Sequence, residues 1–189
     1  MKPNLEYIGY SQIENLLSQY TALRALLDNL KIETNRIYRE HKAGQYTEDD
    51  ILYSMAVGNH ILTDMPAAYG ASPGDKELRI IHAKDKLMAE MLGDNLNDIN
   101  VIGETLDMLT GALMMLPVED RRILTGKYCE NMTWKQIAIE LCAERETLIK
   151  KRRAAIERLQ TVLRVTTDQY DHCIKLIEDN KNRKPPKAP

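Results

Sequence analysis

The residues with chemistry to offer sit close together in the C-terminal half of the chain. In RETLIKKRR, Arg145 to Arg153, a guanidinium and a carboxylate stand side by side at Arg145 and Glu146, and cations follow at Lys150 and Arg153. This group holds no activated nucleophile and no paired carboxylates, so its chemistry is hydrogen bonding and charge. A guanidinium can donate two hydrogen bonds to a guanine edge, a carboxylate can accept one from a cytosine amino group, and cations further along can meet phosphates. At 100° per residue, Leu148, Arg152, Ala155, Ile156 and Leu159 gather on one side of a helix. Glu146, Lys150, Arg153 and Glu157 gather opposite them, flanked by Ile149. Arg145 starts this helix, expected over 145–163, and Thr147 joins it in the first turn. Ile149 is placed either to touch a thymine methyl or to sit as a rim residue. Arg152 is on the core side, so it is expected to snorkel or pair.

A helix that reads a duplex must be held at an angle to it, and the preceding residues supply the holder. In TWKQIAIELCAERET, Thr133 to Thr147, the spacing of Thr133 and Gln136 is that of a capping box, in which each side chain satisfies an amide at the helix start. Ile137 and Leu141 point to one side with Trp134 a turn earlier, so Trp134 is expected to pack rather than to stack on bases. Ala138 is small where a neighbouring helix needs close approach. The apolar period slips after Leu141, and Cys142-Ala143-Glu144 fits a tight turn. Thr133 and Lys135 stand where the first of the two helices would brace against phosphates. Upstream, LPVEDRRILTGKY predicts a third helix, with Pro117 at its start, Glu119 and Asp120 in its first turn, and Ile123, Leu124 and Tyr128 packing inward.

The rest of the chain reads as helices that support this module. From Ser11 to His41 the residues Ile13, Leu16, Tyr20, Leu23, Leu27, Leu30 and Ile37 follow heptad spacing, which predicts one long helix with a narrow stripe. A shorter helix capped by Thr47 is expected next, then a connector at MPAAYGASPG. Ser72-Pro73 with Asp75 marks a strong helix start. The stripe after it, Leu78, Ile81, Met88, Leu92, Ile99, Ile102, Leu106, Leu109 and Leu113, is one very long helix with a bend at Gly93-Asp94-Asn95, or two helices. The fold class expected is all-α, with long antiparallel N-terminal helices closing on each other and a C-terminal helix-turn-helix module. The segments are 1–70, an oligomerisation or partner region; 71–115, the connecting helix; 116–164, the DNA-binding domain; 165–180, a C-terminal helix; and 181–189, a disordered basic tail. Val162, Thr166, Tyr170, Cys173 and Ile177 carry the stripe past Leu159, either in an extended reading helix or in a following one.

Charge is distributed to match. The net charge is −2, but residues 1–120 carry −9, residues 121–164 carry +6 and the last 25 carry +1. A basic block on an acidic protein reads equally, on charge alone, as a localised polyanion-binding surface or as a solvated basic helix. Enzyme classes find no support: there is no Ser/His/Asp set, no paired carboxylate site and no phosphate-cradling glycine loop. The four His are scattered, and DNLNDIN places Leu96 where a calcium loop needs a ligand, so no metal and no cofactor are expected. Cys129, Cys142 and Cys173 form no CxxC pair and read as reduced thiols of a cytoplasmic protein. No apolar run reaches the ~18 residues that span a bilayer, and no signal-peptide core is present at the N-terminus.

The segment LPVEDRRILTGKYCENMTWKQIAIELCAERETLIKKRRAAIERL resembles region four of bacterial sigma factors, the domain that reads the −35 promoter element. With the acidic helical part before it, the layout resembles the sigma-like late transcription regulators of phages and prophages, of the ArpU and RinA type. The resemblance implies base contacts by Arg145 and Glu146, a polar base-reading position at Lys150, and backbone contacts by Thr133 and Lys135. It also implies a bacterial host cell and contact with RNA polymerase. Three positions depart from the family: Cys142 replaces Gly, Asp or Asn in the turn, Glu144 replaces a Ser or Thr cap, and Lys151 replaces an apolar residue. One reading module makes a short footprint that dimers double, so a homo-oligomer is expected, while helix stripes that satisfy each other within one chain fit the spacing equally. Two other readings share the features. A phage small terminase subunit would form rings on packaging sites, and a helical polymerase-binding adaptor would show no salt-dependent affinity for DNA.

Overall fold

The computed structural model of the chain describes residues 6–43 and 73–182. The helix expected from Thr47, the connector before Pro73, the cap Ser72 and the tail after Asn182 lie outside the described residues; Lys181 and Asn182, expected in the tail, are helical. Those residues form an all-α fold: α1 (Tyr10–Ser18), α2 (Tyr20–Ala43), α3 (Pro73–Met115), α4 (Val118–Leu124) running into a π-helical turn (Thr125–Cys129), α5 (Trp134–Glu140), α6 (Arg145–Val162) and α7 (Thr167–Asn182). The chain contacts cluster into two units, one taking residues up to Asn29 together with those from Ile99 onward, the other Leu30–Asp98. The first therefore joins α1 and the end of α3 to all the C-terminal helices. In the second, Leu30, Ile37 and Met88 are the buried apolar side chains among those described.

The long N-terminal helix read from the heptads is in fact two, parted at Gln19, whose φ of −95° and ψ of 2° leave the helical range. The cause is competition for one carbonyl. The Ser18 hydroxyl donates to Asn15 O at 2.7 Å, and the Gln19 amide donates to Asn15 O at 3.0 Å and to Leu16 O at 3.2 Å. The narrow seam also widens. Ile13, Leu16, Leu23, Leu30 and Ile37 are buried as expected, but Leu17 and Leu26 are buried too, while Tyr20 and Leu27 are only half-buried.

Helix α3 begins at Pro73 and runs without a break through Gly93. Its Ile102, Leu106, Leu109, Ala112 and Leu113 are buried in the first unit. Thr105, fully buried, donates its hydroxyl to Val101 O at 2.8 Å and receives the Cys173 thiol at 3.7 Å, so its polar atom is satisfied. Helix α4 buries Ile123 and Leu124, and the π turn that follows buries Tyr128. Gly126 sits in that turn at a close approach, since a β-carbon there would lie 3.3 Å from Met132 Sδ.

Helix α6 stops at Val162, one residue short of expectation, where Leu163 turns extended. Arg164 folds back to donate to Thr161 O at 3.0 Å and Leu163 O at 3.2 Å, covering carbonyls that the helix end leaves open. The stripe past Leu159 belongs to the separate helix α7. Thr166 and Gln169 form a second reciprocal box at its start, with Thr166 N to Gln169 Oε1 at 3.0 Å and Gln169 N to Thr166 Oγ1 at 3.3 Å. Residues 6–8 run antiparallel to the 163–167 link, through Ile8 N to Val165 O at 3.2 Å and Thr167 N to Glu6 O at 2.9 Å.

Candidate nucleic-acid interface

Helix α5 is set by its first residues. Thr133 Oγ1 accepts from Gln136 N at 3.3 Å, and Gln136 Oε1 accepts from Thr133 N at 2.8 Å, the capping box expected from the spacing. Seven residues later the helix closes with Ala143 N bonded to Ala138 O at 3.1 Å and Cys142 N to Ile139 O at 3.4 Å. This is the pairing of a Schellman ending, and it needs a left-handed residue at Cys142, whose φ is 49°. A Cys there carries strain that Gly would not. Glu144 then sits extended at the start of α6, and its side chain makes no capping bond. Ala138 and Ala143, the two small residues of the turn, pack with Met132, Trp134 and Leu141 on a core of Ile123, Ile137 and Leu148.

Each of those three core residues is at most 1% exposed, and each contributes roughly 1.5–3 kcal/mol by burial, so α4, α5 and α6 are locked in one arrangement. An ion-pair network adds direction. Arg122 of α4 donates to Glu140 at the end of α5 through Nε at 2.5 Å and Nη2 at 2.7 Å, and to Glu130 at 2.6 Å. These bonds raise the Arg122 pKa above its usual range and hold the Glu140 carboxyl below its own. Trp134 is half-buried against the core, as expected, and Lys127 lies 5.5 Å from its ring centroid.

Leu148, Ala155, Ile156 and Leu159 are buried. Arg145, Glu146, Thr147, Lys150 and Arg153 are exposed along the outer side of α6, Ile149 is 39% exposed beside them, and Thr133 and Lys135 are exposed at the start of α5. All eight candidate residues therefore stand in solvent on two helices joined by one tight turn. Arg152 pairs inward: its Nη1 donates to Glu14 Oε1 at 2.7 Å and to the Tyr128 hydroxyl at 3.2 Å. Burial opposes the Arg152 charge, but Tyr128 and Glu14 outweigh it, and the pKa is raised.

Two further pairings were not legible in the sequence. Lys151, which stands where the sigma pattern has an apolar residue, ion-pairs with Glu119, and Arg158 ion-pairs with the buried Asp120. Both acids lie in the first turn of α4, so they also complement its N-terminus. The basic block is thereby sorted. Lys151, Arg152 and Arg158 are held by carboxylates of other helices, while among the described residues Lys135, Arg145 and Lys150 have no ion pair and Arg153 meets only Glu157 on its own helix at 3.5 Å. The missed signal was the run Glu119-Asp120 set against Lys151 and Arg158, seven residues apart and so on one flank of a helix.

Among the described residues no group of three or more His, Cys, Asp or Glu could hold a metal ion, and no helix is long and apolar enough to cross a membrane. Comparison with protein-family models, with curated proteins and with solved structures finds no match to this chain.

Proposed function

We propose that this chain is a sequence-specific, double-stranded-DNA-binding transcription regulator, and that α5 and α6 act as a helix-turn-helix. In this reading Arg145 and Glu146, with Thr147 and Ile149, meet base edges in the major groove. Thr133, Lys135, Lys150 and Arg153 meet the backbone. One observation carries the proposal: the eight candidate residues form an exposed face, and four cations on it are left without a carboxylate from another helix. What supports the reading is the sorting of the cations: the inward three are paired with carboxylates of other helices, and the remaining ones stand where the reading needs them. The resemblance to sigma region four and to phage late regulators of the ArpU and RinA type extends the proposal to late-gene activation in the cytoplasm of a bacterial host. It also extends to contact with RNA polymerase and to homo-oligomers organised by the acidic helices.

Selection of bound sites from a random duplex pool tests it. The parent chain enriches a defined motif, and Arg145→Ala relaxes the preference at one base pair, by about 1–3 kcal/mol. Enrichment of no motif by the parent, or an unchanged motif with Arg145→Ala, refutes the assignment.

A further inference from the structure

Helix α6 carries six cations, and the three that are held inward are not held alike. Lys151 and Arg158 are tied to two adjacent acids of α4, whereas Arg152 is tied to Glu14 of α1, 138 residues away. The guanidinium is held by one carboxylate oxygen and the Tyr128 hydroxyl, and among the described residues Arg152 Nε is buried without a hydrogen-bond partner. Beside the guanidinium lies an open cleft of about 520 Å³, lined by Tyr10, Arg152, Arg153, Glu157 and Gln160. The cleft thus leads from Arg152 to Arg153, a member of the outward face. Arg152 has one carboxylate restraining it and open space toward Arg153.

We propose that Glu14 is a positioning residue that holds Arg152 away from the DNA backbone, so that binding strength rests on the residues that read bases. The proposal depends on the DNA-binding reading above. An additional phosphate contact favours every sequence equally, so it tightens binding to random DNA and adds nothing to the discrimination between sites. Glu14 is well placed for restraint. Its helix buries Ile13, Leu16 and Leu17 completely, and Asn15 Nδ2 donates to the Tyr170 hydroxyl of α7 at 2.7 Å, so the carboxylate is mounted on a fixed element. The acid that lines the cleft, Glu157, pairs with Arg153.

The test uses the full chain and a random-sequence duplex, with affinity followed by fluorescence anisotropy as salt rises from about 50 to about 200 mM. Four phosphate contacts give the parent a loss of about 150-fold over that range, and a fifth contact in Glu14→Gln makes the loss about 500-fold. Glu14→Gln also binds more tightly than the parent at the lower salt. Arg152→Gln keeps the parental slope, and Glu14→Gln combined with Arg152→Gln returns to it. A parental slope in Glu14→Gln overturns the proposal while leaving DNA binding intact. A slope reduced by about 0.9 in Arg152→Gln alone also overturns it, because Arg152 would then already touch phosphate. If Glu14→Gln fails to fold, the Arg152→Gln slope decides. A parent chain that binds no duplex overturns the DNA-binding reading and this proposal together.

Discussion

Replacing Lys150 and Arg153 together by Ala removes two of the four cations on the outer face, and the consequence can be worked out in advance. Neither side chain contributes to the core, and the Arg153–Glu157 contact at 3.5 Å joins two exposed groups on one helix, worth only about 0.3–0.5 kcal/mol. The melting transition should therefore move little. Binding should change in a specific way. On random duplex, where Arg145 also lies against phosphate, about 0.9 of salt slope per contact gives the four cations a slope near −3.6 and two cations about −1.8. Between about 50 and 200 mM salt the parent then loses about 150-fold in affinity and the double variant about 12-fold. The loss at low salt should be similar for a selected site and for random duplex, because phosphates carry no sequence. Anisotropy titrations at four salt concentrations on both duplexes measure all of this. A double variant with the parental slope would refute the reasoning, since the cations would then be facing solvent and nothing else.

Two more expectations follow from the turn and the thiols. Cys142→Gly should stabilise the fold by about 0.5–1 kcal/mol in urea denaturation, because relief of the left-handed strain at φ 49° exceeds the extra unfolded-state freedom of Gly; destabilisation would contradict the turn geometry. Iodoacetamide near pH 8 should add a single fast label to the native chain, at Cys142. The Cys129 thiol is pushed up to about 11 by burial and then by Glu130, so it stays protonated there, and Cys173 is buried. Rapid labelling of two or three thiols in native mass spectra would contradict that burial.

The sequence made the face of α6 legible because a helix sorts its residues by angle alone: Leu148, Ile156 and Leu159 had to lie opposite Glu146, Lys150 and Arg153. The α5 start was legible for the same local reason, since Thr133 and Gln136 complete their box within one turn. The identical spacing at Thr166 and Gln169 was present and overlooked, and with it the end of α6. What angle cannot supply is the identity of the neighbour. That Arg152 faces inward was foreseeable, but not that Glu14 would meet it, because the pair is formed by tertiary packing across most of the chain. The break at Gln19 was hidden for a different reason. Heptad spacing continues across it undisturbed, and only the contest between Ser18 and Gln19 for the Asn15 carbonyl decides the matter.

The proposition on which the account turns is that the outward side of α6 lies against a duplex. Amide chemical-shift mapping of the isotope-labelled chain, titrated with its selected duplex in dilute salt, tests this most directly. Perturbations should concentrate at Thr133 to Gln136 and at Arg145 to Arg153, with the outward residues of α7 unmoved. A spectrum unchanged by any duplex, or changes centred away from α5 and α6, would contradict it.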